Sequence, residues 1–207
     1  LLARNEVESW QRLTRVLTHE IMNATTPIAS ISQAYLDNPA IAGTVYEEGV
    51  RAIHETSRGL ALFVDSYRKL AELQEPVLVE IPLAAFVERI RTLYPDLEWH
   101  ISIPLAVTMF TDENMLRQVL INLVKNACEA GATAMDVRWN KELWISNNGM
   151  PIPADVEREI FVPFFTTKKN GSGIGLSLSR QMMVRQGRDL CLAERPVPGF
   201  QVTFIVS

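Results

Sequence analysis

Asn122 and Asn126 stand four residues apart, a spacing that puts both side-chain amides on one face of a helix. Leu116, Val119, Leu120, Leu123 and Ala127 would supply that helix with its buried side. Stacked, uncharged oxygen donors suit Mg²⁺, which favours oxygen ligands and keeps water and phosphates in its shell. A second feature is Gly171-Ser172-Gly173-Ile174-Gly175-Leu176, a glycine-rich turn that opens a helix. Such a turn offers unpaired backbone N–H groups and the positive end of the helix dipole to phosphate. Lys168 and Lys169 add positive charge just before it. The third feature is His19, next to Glu20 and one helical turn before Asn23. A neutral imidazole is a competent nucleophile, and a carboxylate can hold one ring nitrogen's proton so that the other nitrogen attacks. Taken singly, each feature has a plainer reading: two solvated amides, an ordinary turn, a surface histidine.

The elements that must position these groups fall into two parts. Trp10, Leu13, Leu17, Ile21, Ala24, Ile28, Ile31 and Tyr35 recur at steps of three and four. They predict one long amphipathic helix. Asp37-Asn38-Pro39 breaks it, and a second stripe runs through Val50, Ile53, Ser57, Leu60, Val64, Tyr67 and Ala71. The pair reads as an antiparallel hairpin over 1–75 with one face left wet, so a homodimer forming a four-helix bundle is expected. His19 lies roughly 200° around the helix from Leu17 and Ile21, turned towards solvent. Pro27 should bend or loosen the helix just beyond it.

After Pro76 the pattern changes, and 76–207 reads as a second domain. Strands are expected at Val77–Ile81, Leu97–Ile103, Ala134–Trp139, Leu143–Ser146, near Leu190–Ala193 and at Gln201–Val206. Helices are expected from Pro82 to Tyr94, from an Asp112 cap through Ala130, and from about Gly175 to Gln186. The fold class is therefore α+β: a helical hairpin followed by a two-layer α/β sandwich.

With 47% hydrophobic and 21% charged residues and a net charge of −4, the chain lacks the basic footprint of a nucleic-acid binder. No apolar run approaches a membrane span, and no signal peptide is visible. The first residue is Leu1, which reads as a fragment of a longer protein. Cys128 and Cys191 lie in apolar periodic segments and are expected to be buried thiols of a reducing cytoplasm rather than a disulfide. No His or Cys grouping has zinc-ligand spacing. His19-Glu20 is followed by Asn23 where a zinc protease would need its second histidine. No buried parallel strand precedes the glycines, which disfavours a dinucleotide-binding reading.

In combination, these segments resemble the catalytic core of sensor histidine kinases of two-component systems. His19-Glu20-Ile21-Met22-Asn23 with Thr26-Pro27 is similar to the H-box, and the segment from Asn114 to Ala130 to the N-box. Asn147-Asn148-Gly149 resembles the motif that begins Asp-Asn-Gly, and Phe161 to Lys168 with the glycine turn resembles the F-box and second glycine box. The resemblance implies an ATP-binding fold shared with gyrase-type topoisomerases and related chaperones. It implies phosphorylation of His19, with Glu20 as general base. Asn23 would align water, with help from Glu20, when a phosphorylated response regulator is hydrolysed. Asn126 would be the Mg²⁺ ligand, Asn122 would support the phosphates, and Asn147 would meet adenine. Gly149, Phe161, Thr167, Lys168, Gly171, Gly173, Gly175 and Leu176 would complete the ATP site. The implied partners are a second copy of the chain and the receiver domain of a response regulator, and the implied location is cytoplasmic.

Two departures stand out. Asn147 replaces the family's Asp, and Pro151 replaces its second glycine. A neutral amide in place of a carboxylate is expected to weaken ATP binding by about 1 kcal/mol. A degenerate kinase acting as a regulator phosphatase or docking scaffold is the first alternative. An ATP-driven clamp using Glu113 is the second.

Overall fold

The computed structural model describes residues 2–71, 73–168, 171 and 173–207; the side chains of 2–17, 19, 62, 66–67 and 69–71 lie outside the described set. The chain divides into two compact units, 1–73 and 74–207.

Unit one is a helical hairpin of α1 (Leu2–Leu36) and α2 (Glu47–Ala71). Turns fill 37–46, where the Asn38 side chain accepts from the Ala40 N–H at 3.0 Å. Helix α1 runs unbroken through Pro27. Of the stripes read from the sequence, Ser57 and Val64 of α2 are buried, but on α1 the seam of the hairpin takes other residues. Thr18, Thr25, Ser32, Ser57 and Val64 are buried, whereas Ile21, Ile28, Ile31, Tyr35, Ile53 and Leu60 are exposed. Small hydroxyl residues let the helices approach closely, and their own backbones satisfy them. Thr25 Oγ1 donates to Ile21 O at 2.9 Å, and Ser32 Oγ to Ile28 O at 2.7 Å. His54 Nδ1 of α2 lies 3.1 Å from Ala29 O and 3.3 Å from Ser32 Oγ. The isoleucine row is thus a second face that the hairpin alone does not cover. Trp10, Leu13 and Leu17 of the stripe lie outside the described side chains.

Unit two runs β1 (Val79–Pro82), α3 (Leu83–Arg91), β2 (Glu98–Ser102), β3 (Thr108–Thr111), α4 (Glu113–Glu129), β4 (Ala134–Trp139), β5 (Leu143–Asn147), α5 (Gly175–Val184), β6 (Leu190–Leu192) and β7 (Val202–Val206). The main sheet has the order β2-β4-β5-β7-β6, and β1 and β3 form a separate antiparallel pair. Only the β2–β4 pairing in the main sheet is parallel. One sheet face carries Met135, Val137, Leu143, Ile145, Phe204 and Val206, all buried, against the helices. That is the sandwich expected from the alternation of strands and helices. Strand β3 was not foreseen; its four residues are too short to announce a period, and pairing with β1 makes the strand.

Asp112 caps α4 as expected: Oδ1 accepts from Asn114 N at 2.9 Å and Met115 N at 3.0 Å. Its Oδ2 also accepts from Val77 N at 2.8 Å, tying the start of the domain to the helix. Asp112→Ala leaves three N–H groups without that carboxylate, and we expect a loss of about 2 kcal/mol. Urea unfolding should show a lower midpoint with an unchanged slope.

The cysteines correct one expectation. Both are free, but Cys128 is exposed and Cys191 only half-buried. Leu120, Leu123, Val124 and Ala127 take the inner face of α4, which leaves Cys128 on the outer one beside Lys125 and Glu129. Burial, followed by the neighbouring Asp189, pushes the Cys191 thiol above its ordinary pKa. Among the described residues, no helix is long and apolar enough to cross a membrane.

Candidate functional site

The hydrophobic face of α4 is pinned to the sheet, with Leu116, Val119, Leu120, Leu123 and Ala127 each no more than 2% exposed. That anchoring turns Asn122 and Asn126 to the shoulder of the helix, where both are half-buried. Asn122 Nδ2 donates to Ser179 Oγ of α5 at 3.1 Å. Its Oδ1 packs directly on Gly175: a Cβ built there would collide with this oxygen and lie 3.0 Å from Cγ and Nδ2. The first residue of α5 must therefore be glycine for the helix to approach α4 this closely. Among the described residues no side chain caps the N-terminus of α5, so its first N–H groups remain available to an anion.

The loop before α5 is braced by its other glycines. Gly173 has φ +67°, and a Cβ there would lie 2.6 Å from the carbonyl oxygens of Phe164 and Phe165. Phe164 itself has φ +69°, and its N–H donates to Gly173 O at 2.9 Å. The phenylalanine segment and the glycine turn are thus locked backbone to backbone. Gly171 packs on Thr166, whose Oγ1 accepts from Lys168 N at 3.1 Å. Lys169 and Ser172, two residues of the sequence reading, lie outside the described residues.

Asn126 Oδ1 accepts from Lys168 Nζ at 2.9 Å, and the same ammonium pairs with the Glu129 carboxylate. The ammonium stands where a cation would: an amide oxygen and a carboxylate converge on one point charge. This donor set fits Mg²⁺, which takes hard oxygen ligands and leaves positions for water and phosphate. Among the described residues, no cluster of three His, Cys, Asp or Glu could hold a metal on its own.

One turn further along α4, Ala130 meets the loop after β5. Met150 N donates to Ala130 O at 2.9 Å, and a Cβ on Gly149 would lie 3.1 Å from Ala130 Cβ. Asn147 is 6% exposed, and its Oδ1 accepts from Gly149 N at 3.0 Å. Asn148 plays a part the sequence reading missed. Its Oδ1 accepts from Thr133 N and Ala134 N, both at 2.9 Å, and its Nδ2 donates to Thr133 Oγ1 at 2.9 Å. Only its position beside Asn147 could have signalled this; the partners are set by the fold. From Asn122 to Ala130 the helix rises about 12 Å, enough to lie along a bound nucleotide. Asn122, Gly175, Asn126, Lys168, Asn147 and Gly149 therefore line one stretch of helix. Ser179 and Glu129 join them through contacts that sequence spacing does not reveal.

Other predicted residues stand elsewhere. Phe161 packs edge-on against Phe204, with Arg180 stacked 5.3 Å from its ring. It lines a groove of about 320 Å³ with Pro163 and residues of α5, and none of the three asparagines takes part in that lining. Thr167 is exposed and Leu176 half-buried. In the hairpin, Glu20 and Asn23 are exposed. His19 lies within α1 between buried Thr18 and exposed Glu20, and the expectation that its ring faces solvent lies outside the described side chains. Glu113 is held by Arg89 at 2.6 Å and by Arg117 at 2.9 Å.

Arg180 also grips Asp189 with two hydrogen bonds, of 2.8 and 2.9 Å, which hold that carboxyl below its ordinary pKa. The folded state binds this proton less readily than the unfolded chain. Its contribution is therefore complete above the unfolded value and is lost as pH falls through the lowered folded value. Arg180→Gln is expected to be less stable than the wild type at pH 6. Part of that gap should close between about pH 4 and pH 2 in thermal unfolding series.

Residues 111–207 match the family model described as histidine kinase-, DNA gyrase B-, and HSP90-like ATPase. The sensor protein kinase PilS of Pseudomonas aeruginosa is 26% identical over 218 residues, which takes in 93% of this chain and 40% of that protein. The chain spans less than half the length of the first curated relatives it matches. The solved catalytic domain of histidine kinase ThkA has 28% identity and a TM-score of 0.54, covering 63% of this chain and 93% of that one. The fold alone also matches histidine kinase ThkA in its complex with response regulator protein TrrA, at 23% identity and a TM-score of 0.60, over 98% of this chain and 62% of that one. The asparagine-bearing helix, the glycine-braced loop and the helical hairpin thus occur together in a chain whose residues 111–207 match that ATPase family and which is similar to sensor histidine kinases.

Proposed function

We propose that this chain is the core of an ATP-dependent protein histidine kinase that phosphorylates His19 and passes the phosphoryl group to an aspartate on a response-regulator receiver domain. The observation that carries the reading is the single line of contacts along α4. Asn122 lies against Gly175, Asn126 against Lys168, and Ala130 against Gly149 and Met150, with Asn147 bonded to Gly149. Phosphoryl transfer asks a protein mainly for positioning and charge neutralisation, and this arrangement supports both. Asn122 and the N–H groups of α5 would hold phosphates. Asn126, with Glu129, would hold Mg²⁺, which supplies charge neutralisation at the phosphates when bound. Lys168, now on Asn126 and Glu129, is free to turn to phosphate once a metal takes its place.

A free nitrogen of His19 attacks the γ-phosphorus and forms a P–N bond. The bond from the γ-phosphorus to the bridging oxygen breaks, and ADP departs with that electron pair. Glu20 accepts or orients the proton of the imidazole. The receiver aspartate then takes the phosphoryl group, and Asn23, with Glu20, serves regulator dephosphorylation as a second activity. A homodimer would cover the exposed row of Ile21, Ile28, Ile31, Ile53 and Leu60, and a cytoplasmic location would give access to ATP.

The test is to incubate the chain with Mg²⁺ and γ-labelled ATP, then add a receiver domain. Label that survives base, is lost in acid and moves to the receiver on mixing is expected. Nucleotide binding without any labelled protein would overturn the kinase reading.

A further inference from the structure

Two buried serines of α5 use their hydroxyls differently. Ser177 Oγ bonds back to its own helix at Ile174 O, 2.9 Å away, as Thr25 and Ser32 do in α1. A serine within a helix commonly does this, and the bond serves only that helix. Ser179, 2% exposed, instead accepts from Asn122 Nδ2 of α4 at 3.1 Å, across 57 positions of chain. The two ends of a carboxamide are nearly equal in size and the last torsion of asparagine is broad, so hydrogen-bond partners decide which way it faces. For Asn122 that partner is Ser179. With Nδ2 drawn to the hydroxyl, Oδ1 lies over Gly175 at the first turn of α5. The flipped amide would turn its N–H₂ towards the uncapped N–H groups that open α5, donor towards donor. Nδ2 carries two hydrogens, and Ser179 takes one of them.

On the reading that Asn122 supports the phosphates of ATP, we infer that Ser179 is a positioning residue for nucleotide binding. It fixes the Asn122 amide so that the second N–H of Nδ2 meets a phosphate oxygen, and it acts through Asn122 alone. Without the hydroxyl the amide turns about its last torsion, and the buried position leaves water little room to replace the lost oxygen.

Calorimetric titration of the whole chain with Mg²⁺-ATP tests this, for wild type, Ser177→Ala, Ser179→Ala, Asn122→Ala and the Ser179→Ala/Asn122→Ala double variant. Ser179→Ala is expected to bind about fivefold to tenfold more weakly than wild type, and Ser177→Ala within about twofold of it. In the Asn122→Ala background, Ser179→Ala should add less than about twofold, because no amide is left to position. A loss caused by altered packing of α5 would recur in both backgrounds. Equal losses in the two backgrounds, an equal loss in Ser177→Ala, or wild-type affinity in Ser179→Ala each overturns the positioning role and leaves the nucleotide site standing. Failure of the wild type to bind Mg²⁺-ATP overturns the nucleotide site and the inference with it.

Discussion

His19→Ala is expected to take no acid-labile label from saturating γ-labelled ATP, while nucleotide binding stays within about twofold of the wild type. The expected loss in labelling exceeds about a thousandfold, because removing the nucleophile of a covalent step removes the step. Alanine is a strong helix former and α1 is helical through this position, so the change should not unfold the hairpin. Asn126→Ala should also lose label, by about tenfold to a hundredfold. The cause differs: the amide oxygen now held by Lys168 is gone, and of the two described oxygen groups on that ammonium Glu129 alone remains. Separating binding from labelling distinguishes the two variants. His19→Ala should bind and not label, whereas Asn126→Ala should bind Mg²⁺-nucleotide poorly. Equal labelling of His19→Ala and wild type would place the acceptor elsewhere and remove His19 from the mechanism.

Gly175→Ala should lower nucleotide affinity at least tenfold. The added methyl group collides with Asn122 Oδ1 and meets Cγ and Nδ2 at 3.0 Å. Asn122 cannot swing aside without breaking its bond to Ser179, and α5 cannot back away without losing its packing on α4. Overpacking of this kind costs about 1–3 kcal/mol, and here the displaced elements carry the N–H groups and amide that would hold phosphate. The comparison is Gly59→Ala in α2, where a Cβ meets nothing within 4 Å. That variant should gain about 0.5–1 kcal/mol of helix stability and leave nucleotide binding unchanged. Titration with a fluorescent nucleotide alongside thermal unfolding reads both effects. Unaltered affinity in a folded Gly175→Ala would show that the close approach of α5 to α4 does not shape the nucleotide site.

Much of the site was legible because it rests on local rules. The spacing of Asn122 and Asn126 put both amides on one shoulder of α4, and the Asp112 cap marked its start within a residue. The two expected strands Ala134–Trp139 and Leu143–Ser146 are joined by a short reversal at which Lys141 has φ +62°. The hairpin misled for a physical reason. A heptad-like stripe records every face a helix buries in its assembled state, so it cannot tell the seam with α2 from a face kept for a second copy. Thr18, Thr25 and Ser32 are buried because they are small, and Thr25 and Ser32 bond back to their own helix, a property hydropathy scores as surface. Cys128 misled in the opposite sense, as an apolar residue on the outer face of an amphipathic helix.

By itself the sequence determined the order of elements, the two-part division, the amide pair, the glycine turn and the histidine in its helix. These depend on periods, caps and backbone freedom within a few residues. The tertiary structure decided which groups meet. Gly175 touches Asn122 across 53 positions of chain, Lys168 reaches Asn126 and Glu129, and Asn148 ties the loop to Thr133 and Ala134. It also decided that the buried Asn147 oxygen accepts from the Gly149 N–H. Contacts between distant segments follow from how helices and sheet pack, and no local pattern encodes them.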